Sequence, residues 1–396
     1  MKSPVTLMVA TSVALLTAPC RAQVYSITDL QPGSGFADAM AYGVSQNGKI
    51  TGAGTVTATG EVHAFIYSNG VFQDLGMLGF PGGAYGMAVN NSGQVAATGY
   101  GPGYQALLYS NGHAAPIGNI DGGSTVGLAM NKYGHIVGRA RNGDGGYQGF
   151  SYLGSFDALN VDVARGINDA DQIVGSFGFV WNTGGKFVYV FEHGFVMQGA
   201  TMTDIGDLGG GRASNTEAYA INNAGQITGY STRADGATHA FVWTNGAMTD
   251  LGALGGYSSF GTSINNRGEV IGNLGTSVYN AYIPFLYTHG AMHYLTDLLD
   301  ASGAGWSGLV ATQINDSGWI VGYGTINGAT HGFLARPASV CPGDANGDNT
   351  VNFADLNIVL GAFGMSGQGL PGDVNHDGVV NFTDLNIVLA YFGTGC

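Results

Sequence analysis

The chain has 396 residues, of which 45% are apolar, 10% are charged and 70 are glycine. The net charge of −14 argues against a nucleic-acid partner, because no basic patch is available to displace counterions from phosphates. Abundant glycine with few charges is unusual for a helix-rich enzyme and is typical of an all-β protein with many tight turns.

Residues 1–22 have the pattern of a secretory signal peptide. Lys2 provides the basic start, residues 5–16 form an apolar run too short to span a bilayer, and Ala22 is a small residue at the predicted cleavage site. Lipid attachment at Cys20 is the alternative, which the flanking residues disfavour. No later segment is long and apolar enough to span a membrane. We therefore predict a protein that is extracellular or associated with the cell surface.

Residues 23–336 contain a repeated unit of four short strands, which is clearest between residues 218 and 256. In the run 239–244 both faces are apolar, and this indicates a sheet covered on both sides. The unit therefore requires neighbours of its own kind. Its four predicted strands, separated by turn-forming residues, are 218–222, 226–231, 239–244 and 247–251.

An Asn-x-x-Gly turn between the first two strands marks each copy of the unit. Seven copies align, two of them degenerate, with the last turn residue at positions 48, 93, 134, 171, 225, 268 and 318. We expect a positive φ at this position, which glycine adopts freely and which Asp171 tolerates in the fourth copy. A four-stranded unit recurring about every 40–45 residues is the sequence signature of a β-propeller.

The two ends of the repeat region are complementary. Residues 25–30 match the fourth strand of the unit, whereas the last copy stops after its third strand at residues 331–334. Pairing these two segments would leave no exposed sheet edge. We therefore predict an all-β, seven-bladed β-propeller that is closed by exchange of its N-terminal strand.

The unit resembles the bacterial extracellular HAF repeat, which is named for a His-Ala-Phe tripeptide. His63 and His239 begin complete matches and His331 a partial one, and the resemblance implies no known activity. These histidines are candidate metal ligands, but equivalent positions in separate blades point in different directions, which favours structural hydrogen bonding. For Asp74 and Asp250, the alternatives are catalysis and, more simply, acceptance of backbone N–H bonds in a turn.

Two segments interrupt the repeat, and we predict that they carry binding specificity, because long loops on a rigid scaffold commonly contact ligands. One is an insertion in the fourth unit at residues 182–199, and the other connects the sixth and seventh units. No nucleophile–base pair and no carboxylate pair is recognisable, so no catalytic residue is predicted. The notable side chains are Lys186, Tyr189, Glu192 and His193 in the first segment and Asp297, Asp300 and Trp306 in the second.

A short linker at residues 337–340 precedes the strongest chemical pattern in the chain. Two twelve-residue stretches carry oxygen ligands at positions 1, 3, 5, 7, 9 and 12, which is the spacing of a calcium-binding loop. We therefore predict two bound Ca²⁺ ions, with position 7 contributing its backbone carbonyl. The predicted ligands are Asp344, Asn346, Asp348, Thr350, Asn352 and Asp355 in the first loop, and Asp373, Asn375, Asp377, Val379, Asn381 and Asp384 in the second.

Each loop leads into a predicted helix with apolar residues at helical spacing, and we expect these stripes to pack on each other. They are Leu356, Val359, Leu360 and Phe363 in the first helix, and Leu385, Val388, Leu389 and Phe392 in the second.

This duplicated loop–helix arrangement resembles the type I dockerin module across residues 341–396. The resemblance implies two calcium ions, a small all-α fold and docking to a cohesin-type receptor, with partner choice at positions 10 and 11 of each loop. Those positions hold Phe353, Ala354, Phe382 and Thr383 instead of the hydroxyl pairs common in the family.

Cys341 and Cys396 bracket this module and are the only cysteines that follow the predicted signal peptide. In a secreted protein such a pair favours a disulfide bond, with two free thiols as the alternative.

Three functional classes remain open. The first is a non-catalytic binding or display protein, in which the propeller engages a glycan or a protein and the dockerin-like module attaches it. The second is a polysaccharide-acting hydrolase, since dockerin modules often accompany glycoside hydrolases. The third is a structural surface protein. The absence of a recognisable carboxylate pair favours the first class.

Overall fold

The computed structural model describes residues 24–31, 35–141, 145–182, 188–211, 214–275, 282–338, 342–346, 350–367, 370–375 and 378–393. The predicted signal peptide and both cysteines of the proposed disulfide, Cys341 and Cys396, lie outside these residues. Neither helix found in the described chain has the length and apolar character needed to cross a bilayer.

The repeat region forms antiparallel groups of four strands. Each group begins with a strand that is connected to the last strand of the preceding group. The Asn-x-x-Gly turn joins this first strand to the second strand of the same group. The strands are β1 (Tyr25–Asp29), β2 (Phe36–Val44), β3 (Ile50–Val56), β4 (Val62–Ser68), β5 (Val71–Gly76), β6 (Ala84–Val89), β7 (Val95–Tyr100), β8 (Tyr104–Ser110), β9 (His113–Pro116), β10 (Thr125–Met130), β11 (Ile136–Arg141), β12 (Tyr147–Tyr152), β13 (Phe156–Ala158), β14 (Val163–Ile167), β15 (Gln172–Asn182), β16 (Val188–Gln198), β17 (Thr201–Asp204), β18 (Thr216–Ile221), β19 (Ile227–Thr232), β20 (Thr238–Thr244), β21 (Ala247–Asp250), β22 (Ser258–Ile264), β23 (Val270–Gly275), β24 (Tyr282–Thr288), β25 (Ala291–Tyr294), β26 (Ser307–Ile314), β27 (Ile320–Ile326) and β28 (Ala329–Pro337).

Within the described residues, these strands make five four-stranded sheets and one eight-stranded sheet. The larger sheet joins the group β18–β21 to the group β22–β25 through a single parallel pairing of Thr238 with Ser258. The four strands predicted in the reference unit are confirmed as β18 to β21.

The predicted pairing between the two ends of the repeat region is also confirmed. β1 lies antiparallel to β28, with Tyr25 opposite Pro337 and Asp29 opposite Phe333. Pro337, predicted as the first linker residue, therefore ends a strand. The first strands of successive groups contact one another in chain order, from β2 to β26, and β26 also contacts β2.

A buried aromatic ring in the third strand of most groups forms the core between sheets. Phe65 and Phe241, the phenylalanines of the two complete His-Ala-Phe matches, are fully buried. Gly52 on the neighbouring strand makes room for Phe65, because a Cβ there would lie 2.8 Å from the ring and 1.9 Å from the Met40 carbonyl oxygen. The repeated glycine of the second strand is therefore a packing requirement.

The C-terminal region contains two helices, α1 (Phe353–Gly361) and α2 (Phe382–Ala390). Asn352 and Asn381 cap their N-termini, each within a capping box completed by the aspartate three residues later. The small core beneath the helices consists of Val351, Val359, Ala362, Val380 and Val388.

Candidate functional site

A central cavity of about 260 Å³ lies among the first strands of the groups. The residues that line it are aromatic, apolar, charged or hydroxyl-bearing, because the side chain three residues before each Asn-x-x-Gly turn differs from copy to copy. In chain order these cavity-lining residues are Tyr42, Met87, Leu128, Arg165, Tyr219, Thr262 and Thr312.

One end of the cavity is surrounded by the turns themselves, which bond each group to the next. The buried Asn222 accepts N–H bonds from Ala224 and Gln226 at its Oδ1 and donates from Nδ2 to the main-chain oxygen of Asn265, 2.8 Å away. The same donation to the following turn is made by five further asparagines. They are Asn90, Asn131, Asn168, Asn265 and Asn315.

A second set of bonds runs beside the first, between the residues that follow these asparagines. The backbone N–H of Asn223 donates to the side-chain oxygen of Asn266 at 2.7 Å, and that of Asn266 donates to Asp316 at 2.8 Å. Asp316 donates in turn to Gln46 of the first unit. The sequence predicted these turns as scaffold with a positive φ at the last position, which is 56° at Asp171 and 79° at Gly225. It did not predict the bonds between units.

We expect the substitution Asn222→Ala to lower the free energy of unfolding by about 2 kcal/mol, because it leaves the partly buried N–H groups of Ala224 and Gln226 without their acceptor and removes one of the two donors to the Asn265 carbonyl. Asn222→Ser is the matched control and should cost less, since Ser45 occupies the equivalent position in the first unit and accepts the N–H of Lys49. Urea unfolding of both variants measures the difference. Equal stability of Asn222→Ala and the parent chain would contradict a structural role for the ring.

A cluster of charged residues occupies one side of the cavity. Arg165 Nη2 lies 2.6 Å from Glu217 Oε2, and the hydroxyl of Tyr230 donates to Glu217 Oε1. The Arg165 guanidinium also lies over the ring of Tyr219 at 4.5 Å. Both Glu217 oxygens are therefore engaged, which suits a structural or positioning group better than a free acid or base. Sequence reasoning missed this cluster, although Arg165 replaces the uncharged residues found at this position in the other copies.

The opposite end of the cavity carries a band of tyrosines, here called the aromatic band. Tyr42 contacts Tyr323 and Tyr85, with ring centroids 6.5 and 6.4 Å apart. Tyr100 lies 4.7 Å from both Tyr85 and Tyr104. Tyr100 ends β7 and Tyr104 begins β8, so the band lies at the end remote from the turns. Burial raises the pKa of Tyr42, and the adjacent tyrosines add to this effect, so its hydroxyl remains neutral.

The histidines of the repeat have the predicted structural role. His63 Nδ1 lies 2.9 Å from Asp74 Oδ1, and Asp74 also accepts the N–H of Gly76. The pair links the third strand to the fourth within one group. Equivalent pairs are His193–Asp204, His239–Asp250 and His331–Asp29. The last of these crosses between the N-terminal strand and the final unit.

The predicted insertion at 182–199 was wrong in its boundaries. Residues 188–198 form β16, the third strand of the fourth group, and His193 is the repeat histidine of that strand. The departure from the repeat is a longer hairpin of β15 and β16, with eleven paired positions. Glu192 lies in this hairpin, its N–H donating to Asn215, and Tyr189 pairs with Trp181. Lys186 lies outside the described residues.

The connection between the sixth and seventh units, which the sequence predicts as a binding loop, makes packing contacts with β1 and the last unit. Asp300 accepts a bond from the hydroxyl of Ser26 at 2.8 Å and donates its N–H to the carbonyl oxygen of Tyr25. Ser302 accepts the N–H of Ile27, and Trp306 packs against Phe333 with ring centroids 6.0 Å apart. The segment, which includes Asp297 in a 3₁₀ turn, therefore covers the free edge of β1.

The two predicted calcium loops end in the first turns of α1 and α2, since Asp355 and Asp384 belong to these helices. In the first, the fully buried Asp355 accepts N–H bonds from Ala345, Asn346 and Asn352. Burial favours the neutral carboxyl, but these donors outweigh it and hold the pKa of Asp355 below its usual value. In the second loop Asp384 accepts from Asn375 and Asn381 in the same way.

The donor set of these loops consists of oxygen atoms, as calcium requires. In the first loop the described predicted ligands are Asp344, Asn346, Thr350, Asn352 and Asp355. In the second they are Asp373, Asn375, Val379, Asn381 and Asp384. Asp348 and Asp377, at position 5 of each loop, lie outside the described residues, and within those residues no three His, Cys, Asp or Glu side chains converge on one point.

The predicted partner-binding residues are exposed at the starts of the helices. Phe353 and Phe382 are each 69% exposed, and Ala354 and Thr383 beside them are also exposed. The predicted apolar stripes are buried only in part. Val359 and Val388 face the core, whereas the residues one position later on each helix and the phenylalanines beyond do not. These exposed residues are Leu360, Phe363, Leu389 and Phe392.

No family model and no curated protein matches the chain. Among solved structures, the chain is similar to the β-propeller domain of the Trilobed protease from Pyrococcus furiosus, with 12% identity, a TM-score of 0.46 and coverage of 66% of this chain and 85% of that one. It is also similar to an oligogalacturonate lyase in complex with manganese, with 11% identity, a TM-score of 0.49 and coverage of 79% and 93%. At these identities, the function of neither protein transfers to this chain.

The class of the repeat region follows from its own topology. Four-stranded antiparallel sheets whose first strands surround a common cavity define a β-propeller.

Proposed function

We propose that the chain is a secreted, non-catalytic binding and display protein. A seven-bladed propeller binds a glycan or protein ligand at the aromatic band, and the C-terminal module attaches it to a surface. The observation that carries this proposal is the grouping of tyrosines at one mouth of the central cavity. Aromatic faces with polar tips are typical of binding surfaces. The carboxylate of Glu217, on another side of the cavity, is held by Arg165 and Tyr230, which favours a non-catalytic role.

The seven-blade count and the closure of the ring belong to this proposal. They are supported by the contact of β26 with β2 and by the pairing of β1 with β28. Secretion and the disulfide between Cys341 and Cys396 remain predictions from the sequence.

The attachment role is supported by two apolar patches on the C-terminal module. Phe353 lies against Phe392 and Phe382 against Phe363, with ring centroids 4.9 and 5.0 Å apart. Both pairs combine a loop residue with the end of the other helix. Exposed aromatic clusters on so small a module mark an interaction surface. We propose that this surface docks, when calcium is bound, to a cohesin-type or other surface protein.

We expect the double substitution Phe353→Ser with Phe382→Ser to abolish calcium-dependent capture of a surface receptor without altering calcium binding. The expected loss of affinity is more than tenfold, because aromatic anchors dominate protein interfaces. Affinity capture from cell-surface extract, followed by mass spectrometry and titration of the captured protein, measures this. Tyr257→Ser on the propeller, which removes a comparably exposed ring, is the matched control. Retained capture by the double variant would contradict the proposal.

Hydrolysis of a polysaccharide by the purified chain would favour the alternative of a module-borne glycoside hydrolase. A chain that captures a receptor but binds no ligand would favour the structural alternative.

A further inference from the structure

Strand β11 carries two arginines on one face, since Arg139 and Arg141 are two residues apart. In the described chain neither lies within 4.0 Å of a carboxylate oxygen, whereas four other basic residues do. The Nε of Arg139 is buried without a hydrogen-bond partner. Among the described residues the partners of these two arginines are uncharged: Arg141 Nε donates to the carbonyl oxygen of Gly145, and Arg139 lies over a tyrosine ring.

Exposed tyrosines flank these arginines. The guanidinium of Arg139 lies 4.8 Å from the ring centroid of Tyr147, which begins β12 and is 56% exposed. In the adjacent group Tyr104, 50% exposed, packs on Tyr100. The backbone N–H of Tyr104 donates to Ser124 Oγ at 3.2 Å and that of Arg141 donates to the Ser124 carbonyl oxygen at 2.7 Å, so the arginine strand and the aromatic band meet at Ser124.

Exposed tyrosine rings beside two arginine side chains favour a ligand that has flat apolar faces and negative charge. A sugar ring presents C–H groups that pack on tyrosine faces, while its hydroxyls remain solvated or bond to the tyrosine hydroxyls. A guanidinium binds a planar or tetrahedral oxyanion through two parallel N–H donors. A neutral glycan would bring no negative charge to the guanidinium groups of Arg139 and Arg141, whereas an acidic glycan would supply an anionic partner to them.

We propose that the surface formed by Arg139, Arg141, Tyr104 and Tyr147, beside the aromatic band, binds an acidic oligosaccharide through its carboxylate or sulfate groups. This inference rests on the proposed glycan-binding function of the propeller and specifies the charge of its ligand.

The test is calorimetric titration of the full chain with three probes of equal length: a galacturonate trimer, its methyl ester and a sulfated galactose trimer. The methyl ester keeps the sugar rings and removes the charge. We expect at least one anionic trimer to bind at least tenfold more tightly than the ester. Raising the salt concentration from about 0.05 to about 0.5 M should weaken that binding. Whichever anionic trimer binds more tightly identifies the acidic group.

Variants then locate the site. Arg139→Gln and Arg141→Gln should each weaken binding of the anionic trimer about tenfold, and Tyr104→Ala should weaken binding of all trimers. The matched controls lie at the turn end of the cavity: Lys49→Gln removes the same charge, and Tyr133→Ala removes a ring of similar exposure. Thermal melts establish whether each variant is folded. If Arg139→Gln is unfolded, the Arg141→Gln variant still tests the site, because Arg141 is exposed and its replacement should not affect folding.

Equal binding of the ester and the anionic trimers would overturn the acidic-ligand inference but leave glycan binding intact. Equal effects of Lys49→Gln and Arg141→Gln would overturn the location. Binding of none of the trimers would overturn the inference, while the docking function, tested separately by receptor capture, would stand.

Discussion

Deletion of residues 24–31 is expected to lower the melting temperature of the chain by about 7–14 °C and to cause aggregation. The deletion removes three buried side chains, Tyr25, Ile27 and Leu30, and burial of each contributes about 1.5–3 kcal/mol. A loss of about 5 kcal/mol corresponds to a shift of this size in a domain of several hundred residues. Aggregation follows because β28 becomes an exposed edge strand.

Calorimetry and light scattering measure the two effects. Asp29→Asn is the control, because it keeps β1 in place and retains an Oδ1 acceptor for the Gln31 N–H, so that its main effect falls on the bond to His331. Its effect should stay below about 1 kcal/mol, as expected for a partly exposed ion pair. A truncated chain that melts like the full-length protein would show that strand exchange does not hold the propeller together.

Removal of calcium is expected to unfold the C-terminal module while the propeller remains folded. The module has six carboxylates and no lysine or arginine, and its core is built mainly from four valines. Without cations the loop carboxylates repel one another, so metal binding supplies much of the folding free energy. Because Asp355 has a lowered pKa, its contribution is present at neutral pH and is lost as the pH falls through that value.

Isothermal titration of the full chain should give two calcium ions, and calorimetric melting in chelator should lose only the transition of the module. Asp344→Ala should reduce the stoichiometry to one, whereas Asp235→Ala, in an exposed turn of the propeller, should change nothing. Two ions bound by the Asp344→Ala variant would contradict the ligand assignment. An unchanged module transition in chelator would contradict calcium-dependent folding.

The sequence was sufficient to predict the strands and their pairing at the ends, because the turn residues and the buried phenylalanines recur at fixed positions. The sequence was insufficient to predict contacts between side chains of different units, because such contacts depend on how the units are oriented relative to one another. Arg165 and Glu217 lie 52 residues apart, and nothing local indicates that they meet. The contacts of the connection containing Asp300 could not be predicted for the same reason, because its partners Ser26 and Tyr25 lie in β1 at the other end of the repeat region. The burial of the helical stripes was overestimated, because two helices of nine residues, each about 2.5 turns long, bury only Val359 and Val388 of these stripes fully.

The hydrogen bonds between the Asn-x-x-Gly turns have a direction. Asn222 donates to Asn265 in the unit that follows, and its main-chain oxygen accepts from Asn168 in the unit before. In the first two junctions the same direction holds with other residues of the turn, since Asn47 donates to Asn91 and Asn90 donates to Lys132. Every unit thus carries both halves of a head-to-tail interface, and such interfaces form rings when the rotation per unit closes. Duplication of one unit would therefore bring its own donor and acceptor with it. The chain could grow by copying a unit without new chemistry at the junction, and only the width of the cavity would limit the number of copies.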